Sequence, residues 1–239
     1  MKTSAITKKS PIPEGTISIG TGMGIGAVTA YVAVILINKT VGDQAYAGFG
    51  AFWSLIFVVG PGLFLPLEQE IARSVSHRLA RRDGSKPFLR LAISVALLIA
   101  ITVGAIFAAF SPIFINHVFH SNGKLQIGFI IGIVSFAFLH CSRGIFSGNH
   151  KFQYYGASLA FEGAIRFAIV LGLSLIGIKD VGYYGIAMGV TPILAVVPFL
   201  LIIKKLSTDG TDASKRELGT ALSFLVTSSL LSQAIAYSP

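Results

Sequence analysis

Charge is scarce in this chain. Only 12% of its 239 residues are Asp, Glu, Lys or Arg, and just 10 of them are acidic. A soluble domain carries roughly 25%, so too little polar surface exists to cover a core of mean hydropathy +0.75 in water. The single cysteine, Cys141, excludes an intrachain disulfide framework, and it reads as a small buried apolar side chain. No nucleophile, base and stabiliser converge, so no catalytic residue is assigned and no enzyme is expected. The serines near His140 and His150 lack a nucleophile-elbow context. Asp209 and Asp212 are poor candidates for a sugar-nucleotide site. His117 and His120 share a helical face, but no Cys or carboxylate joins them. No metal and no cofactor are therefore expected.

Long apolar runs are abundant instead. A hydrocarbon core about 30 Å thick needs about 20 apolar residues at about 1.5 Å each. Seven candidate spans meet that length: Ile17–Ile37, Gln44–Leu67, Phe88–Phe110, Gln126–Ser147, Ala157–Ile178, Tyr183–Ile203 and Leu218–Ala236. The fold class expected is all-α, a polytopic transmembrane helical bundle. The apolar run after Lys8 and Lys9 exceeds a signal-peptide core and reads as an uncleaved first span. Asn38-Lys39-Thr40 is a glycosylation sequon at a membrane boundary and carries little weight.

The net charge of +9 is distributed unevenly. With the N-terminus inside, 15 Lys and Arg fall on the inner side and only Lys39, Lys124 and Lys179 on the outer side. That asymmetry follows the positive-inside rule and predicts a cytoplasmic N-terminus. The basic face is then set against anionic membrane lipids, and no nucleic-acid partner is expected.

Residues 1–16 read as a cytoplasmic tail, 17–203 as a six-span lobe, 204–217 as a cytoplasmic linker and 218–239 as a seventh span. Ser207 to Asp212 is polar and turn-rich, as a flexible linker would be. The chain stops soon after the seventh span, which fits half of a two-lobed transporter; a seven-span protein is the alternative. In Glu68–Pro87, Ile71, Val75 and Leu79 recur at four-residue steps. They predict an amphipathic helix continuing from, or lying beside, the second span, with Glu70 and Arg73 paired at i,i+3. This loop is either a solvated basic connection or a gate touching lipid headgroups.

Gly20, Gly22, Gly24 and Gly26 alternate along the first span. With Ala27 and Asp43 they loosely fit a dinucleotide loop, but no strand precedes them. Small-xxx-small helix packing is the preferred reading, with a locally unwound helix as the alternative. Pro61 and Pro66, and Pro192 and Pro198, each remove a helical hydrogen bond and predict broken spans.

Charges inside spans are costly and face the bundle interior. Counted from the inner span ends at about 1.5 Å per residue, Arg143 lies about 6 Å deep, Glu162 about 8 Å, His140 about 10 Å and Arg166 about 14 Å. One reading is a Glu162–Arg166 ion pair with Arg143 snorkelling to the headgroups. The other is a cationic cavity in which Glu162 orients Arg166, suited to phosphate or pyrophosphate. His140 adds a group that titrates near neutral pH, and its protonation would couple transport to protons.

Leu67-Glu68-Gln69-Glu70 before a basic amphipathic segment, then Arg143, Gly148-Asn149-His150-Lys151-Phe152, Tyr155-Gly156, Glu162-Gly163 and Arg166, form a recognisable set. Over most of residues 15–205 the chain resembles the polysaccharide flippases of the multidrug/oligosaccharidyl-lipid/polysaccharide exporter superfamily. The resemblance implies a two-lobed MATE-like transporter of the bacterial plasma membrane. This chain would supply one six-span lobe and the start of another, completed by a second lobe or a partner chain. The implied cargo is a lipid-linked oligosaccharide; a cation-coupled multidrug exporter and a non-transporting membrane assembly subunit are the alternatives. Arg143, Glu162, Arg166 and His140 are the expected substrate contacts. The glycine run, Pro61, Pro66, Glu68 and Glu70 are the expected gating and packing positions.

Overall fold

The structure is a computed structural model, and it describes residues 15–214 together with positions 227, 231, 232 and 235. The expected tail through Glu14 and the body of the expected seventh span lie outside the described residues.

Six helices are long and apolar enough to cross a membrane. They are α1 (Thr16–Val41), α2 (Asp43–Ala80), α3 (Lys86–Ala109), α5 (Gly123–Gly148), α6 (Phe152–Leu175) and a last span of two pieces. That last span joins α7 (Val181–Val196) through a 3₁₀ turn (Val197–Phe199) to α8 (Leu200–Leu206). A single helical turn, α4 (Ser111–Ile113), and a π-helical turn (Phe114–Val118) link α3 to α5. No strand occurs among the described residues, and the protein is all-α.

The boundaries differ from the sequence expectation in informative ways. α1 and α2 are separated by Gly42 alone, at φ 84°, where an L side chain would be strained. The sequon at Asn38 is therefore helical, and Thr40 Oγ1 donates to the Leu36 carbonyl at 2.8 Å. α2 runs for 38 residues, about 57 Å. It continues straight on from the second span, and the Glu70–Arg73 pair forms at 2.5 Å. Pro61 and Pro66 sit inside α2 without ending it, and Pro192 sits inside α7. Only Pro198 coincides with a break, in the 3₁₀ turn. A proline lacks one ladder bond, and its neighbours hold a long helix through that gap when they are packed on both sides.

α5 is the central helix, with 72% of its membrane-length window buried. It packs on α7, α2 and α3, while α1 lies along α6. Glycines allow these contacts. A Cβ on Gly22 would collide with the Gly156 carbonyl of α6, and one on Gly189 would collide with the Gly128 carbonyl of α5. Gly20 and Gly24 differ from the packing expectation: nothing lies within 4 Å of a Cβ at either. They fall on the side of α1 turned away from α6. Aromatic rings from α2, the residue capping the π turn and α5 interlock in the core, among them Phe49, Phe52, Phe119 and Phe129.

The segment expected to be a free linker is seated. Its Thr208 carbonyl accepts from Lys86 N at 2.9 Å, and Asp209 pairs with Lys86 Nζ at 2.7 Å. Asp83 accepts from Thr211 N at 2.9 Å and from Thr211 Oγ1 at 2.6 Å. Buried Arg78 donates to Asp83, to the Gly84 carbonyl and to the Thr211 carbonyl. The turn-rich composition serves this fit: Gly84 and Gly210 meet back to back, with no room for a Cβ on either. At the opposite end of the bundle, Lys124 Nζ is 2.5 Å from Asp180 and 4.0 Å from the Tyr183 ring centroid. The Lys124 ammonium bond, with help from Asn122, holds the Asp180 carboxyl below its ordinary range.

Candidate functional site: a buried charge cluster lining a cavity

Helical periodicity brings one charged face of α6 toward α5. Ser158, Glu162 and Arg166 follow at four-residue steps on α6, and His140 and Arg143 lie three apart on α5. Arg143 Nη2 donates to Glu162 Oε2 at 2.8 Å, and its Nε donates to Ser158 Oγ at 3.1 Å. Arg166 Nη2 donates to the other oxygen, Glu162 Oε1. One carboxylate thus holds two guanidiniums, and all three side chains are buried.

The expected Glu162–Arg166 pair forms, and each sequence reading changes in its other part. Arg143 does not snorkel, because Glu162 and Ser158 hold it inward. The pocket is not simply cationic, because a second carboxylate arrives from α2. Glu68 Oε2 is 2.6 Å from His140 Nδ1, and Glu68 Oε1 accepts from the Tyr155 hydroxyl at 2.6 Å. Glu68 and Glu162 together balance Arg143 and Arg166. Glu70, two residues on, faces elsewhere and serves Arg73 and Ser74.

A cavity of about 430 Å³ opens beside the cluster. His140, Arg143, Glu162 and Arg166 form its polar wall, and Trp53, Phe57 and Phe136 line much of the rest. The Arg166 guanidinium lies 5.8 Å from the ring centroids of both Trp53 and Phe57, a cation–π arrangement against the neighbouring pair of rings. Pro61 and Gly26 also reach the wall. The four residues singled out by intramembrane charge come together here. Trp53, Phe57 and Ser158 were not singled out, and Tyr155 entered only through the resemblance, with no contact expected of it. Tyr155 and Glu68 are 87 residues apart, so no local spacing could join them. No group of three metal-ligating side chains occurs among the described residues.

Two guanidinium forks in a site screened from bulk water can grip a planar or tetrahedral anion. The aromatic wall offers apolar faces beside it.

No family model matches the chain. Over 177 residues it is 23% identical to uncharacterized proteins of Mycobacterium bovis and Mycobacterium tuberculosis, covering 72% of this chain and 40% of theirs. Among solved structures it is similar to a MATE transporter in a straight conformation, with TM-score 0.76, 15% identity, 91% of this chain and 51% of that chain. An outward-facing multidrug resistance MATE transporter of the MOP superfamily gives TM-score 0.69 and 14% identity over 91% and 51%. A MOP superfamily transporter of Pyrococcus furiosus, described as having a binding pocket of reversed polarity, gives 0.65 and 13% over 93% and 52%.

At these identities the likeness is one of fold. The protein has the fold of about half a MATE/MOP transporter. Six membrane-length helices in that fold make it a multi-pass membrane protein. The chain spans about half the length of the solved transporters and 40% of the curated relatives it matches.

Proposed function

We propose that this chain is one lobe of a flippase that moves a lipid-linked oligosaccharide from the inner to the outer leaflet of a bacterial plasma membrane by alternating access. The observation that carries this reading is the convergence of Arg143 and Arg166 on one cavity between membrane-length helices. A buried guanidinium pair is costly in lipid and is matched by a phosphate or pyrophosphate, which takes bidentate hydrogen bonds from each fork. Glu162 holds both forks in place until the anion arrives. The lipid tail stays in the bilayer. The charge asymmetry, with Arg81, Arg82 and Lys204 at the basic end of the bundle, supports an orientation in which that end rests on cytoplasmic headgroups and the N-terminus is inside. A second lobe, in a longer chain or a partner chain, completes the pathway.

In cells that export a surface polysaccharide through this protein, Arg143→Ala and Arg166→Ala abolish surface polymer while the amount in the membrane stays the same. Unchanged export from both variants overturns the assignment.

A second reading, a cation-coupled multidrug exporter, is favoured by the aromatic wall of Trp53, Phe57 and Phe136. It predicts drug resistance that depends on Glu162 and not on Arg166.

A further inference from the structure

Two buried side-chain polar atoms lack a hydrogen-bond partner among the described residues, Asn38 Oδ1 and His140 Nε2. The second belongs to a side chain only 6% exposed that lines the cavity. A buried polar atom left unpaired calls for a physical reason.

The other ring nitrogen supplies one. His140 Nδ1 faces Glu68 Oε2 at 2.6 Å, and the second Glu68 oxygen is taken by Tyr155. An ionised carboxylate only accepts, so Nδ1 carries a hydrogen and donates it. The tautomer is therefore set. In the neutral ring Nε2 is a bare acceptor; in the doubly protonated ring it is an N–H donor.

Charge balance distinguishes the two states. Around His140 stand Glu68 from α2, Arg143 and Cys141 from α5, and Tyr155, Glu162 and Arg166 from α6. α1 contributes Met23, Gly26, Ala27 and Ala30, none of them titratable, and α3 and α7 give nothing to the cavity wall. With a neutral imidazole the two carboxylates cancel the two guanidiniums. An anion entering this buried site leaves it with uncompensated negative charge, which is expensive away from water. A second proton on His140 offsets one unit of that charge and turns the unpaired Nε2 of this cavity-wall residue into an N–H donor.

We propose that His140 Nε2 is a phosphate contact that takes up a proton together with the anionic cargo, so that anion and proton bind as a linked pair. This rests on the reading above that the cavity accepts a phosphate or pyrophosphate group. Linkage is reciprocal: the cargo draws the proton in, and a raised pH weakens the cargo.

Trp53, the sole tryptophan, lines the cavity and reports occupancy by its fluorescence. The full chain in lipid nanodiscs is titrated with farnesyl pyrophosphate at pH 7 and pH 8. One proton taken up per anion makes the wild-type Kd rise about tenfold over that unit. In His140→Gln the ring proton is lost and Kd moves less than about twofold, from the ligand's own ionisation, which is common to both proteins. Glu68→Gln keeps an oxygen for Nδ1 but removes a negative charge. It is expected to bind at pH 8 at least as tightly as wild type at pH 7, the opposite of what structural damage gives. If His140→Gln fails to fold, the pH slope of Glu68→Gln decides: with that negative charge gone the anion needs no compensating proton, and a tenfold slope retained there overturns the inference. Equal slopes in wild type and His140→Gln, or weaker binding by Glu68→Gln, overturn the linked-proton inference and leave the phosphate reading standing. No wild-type binding at either pH overturns both.

Discussion

Glu162→Gln is the sharpest test of how the charge cluster is held together. The carboxylate bonds to Arg143 at 2.8 Å and to Arg166 through its other oxygen, with all three side chains under 10% exposed. Removing one partner of a buried ion pair costs about 3–5 kcal/mol. The Gln amide keeps one accepting oxygen, so the working figure is the lower end, about 3 kcal/mol. In a chain of this length each kcal/mol moves the midpoint by roughly 2–4 °C, so a fall of about 6–12 °C is expected. Cys141, the sole cysteine and a buried one, provides the assay. A thiol-reactive fluorogenic dye reports its exposure as the detergent-solubilised protein is heated. Adding Arg143→Gln to Glu162→Gln removes one unpaired cation and recovers part of the loss, a coupling of about 0.5–3 kcal/mol. A midpoint unchanged by Glu162→Gln, or losses that simply add in the double variant, would refute the shared-carboxylate account.

Two further outcomes follow from the packing and from the seated loop. Gly22→Leu should lower the same melting midpoint sharply, because its side chain meets the Gly156 backbone, whereas Gly20→Leu, with nothing within 4 Å, should not; equal effects would contradict the α1–α6 contact. Thr211's hydroxyl, then its amide, hold the Asp83 carboxyl below its ordinary value of 3.8. Stability from that contact is present above the ordinary value and lost as pH falls through the lowered one. Hydrogen-exchange protection across 207–212, taken relative to the intrinsic rate at each pH, should therefore fall only below about pH 3.8 in wild type, and be low already at neutral pH in Asp83→Asn. Slow exchange in Asp83→Asn at neutral pH would count against the strap.

Much of the membrane architecture was legible because hydropathy acts over whole spans. Six of the expected runs correspond to long helices, and the i,i+4 spacing of Glu162 and Arg166 places them on one face whatever surrounds them. The i,i+3 pair at Glu70 and Arg73 was legible for the same local reason. What escaped was non-local. Glu68 sits at an apparent span end, and only the fold shows that His140, 72 residues away, receives it. That contact changes a pocket read as cationic into a balanced one. The segment at Ser207–Asp212 has the composition of a linker, yet the same Gly, Thr and Asp residues are those a tight docked turn requires. Composition cannot distinguish a loop that is free from one that is fastened. Gly42 shows a similar limit: one residue suffices for a reversal that polar flanks suggested would need six.

The deep burial of α5 has a consequence for how its sequence can vary. A helix with one face toward the bilayer tolerates exchange among Leu, Ile, Val and Phe on that face, because only hydrophobicity is specified there. On α5 such a face is a narrow stripe through Ile127, Ile131, Val134 and Phe138, and from Leu139 to Phe146 every residue is buried. Gly128, Gly132, Gly144 and Gly148 each meet a neighbouring helix, and bulky Phe129 and Ile133 stand between them with no exposure. Volume, position by position, is what this helix specifies. Hydropathy profiles of proteins sharing this arrangement can therefore agree in every span while the pattern of small and large residues along α5 separates those whose helices can assemble from those whose helices can only insert.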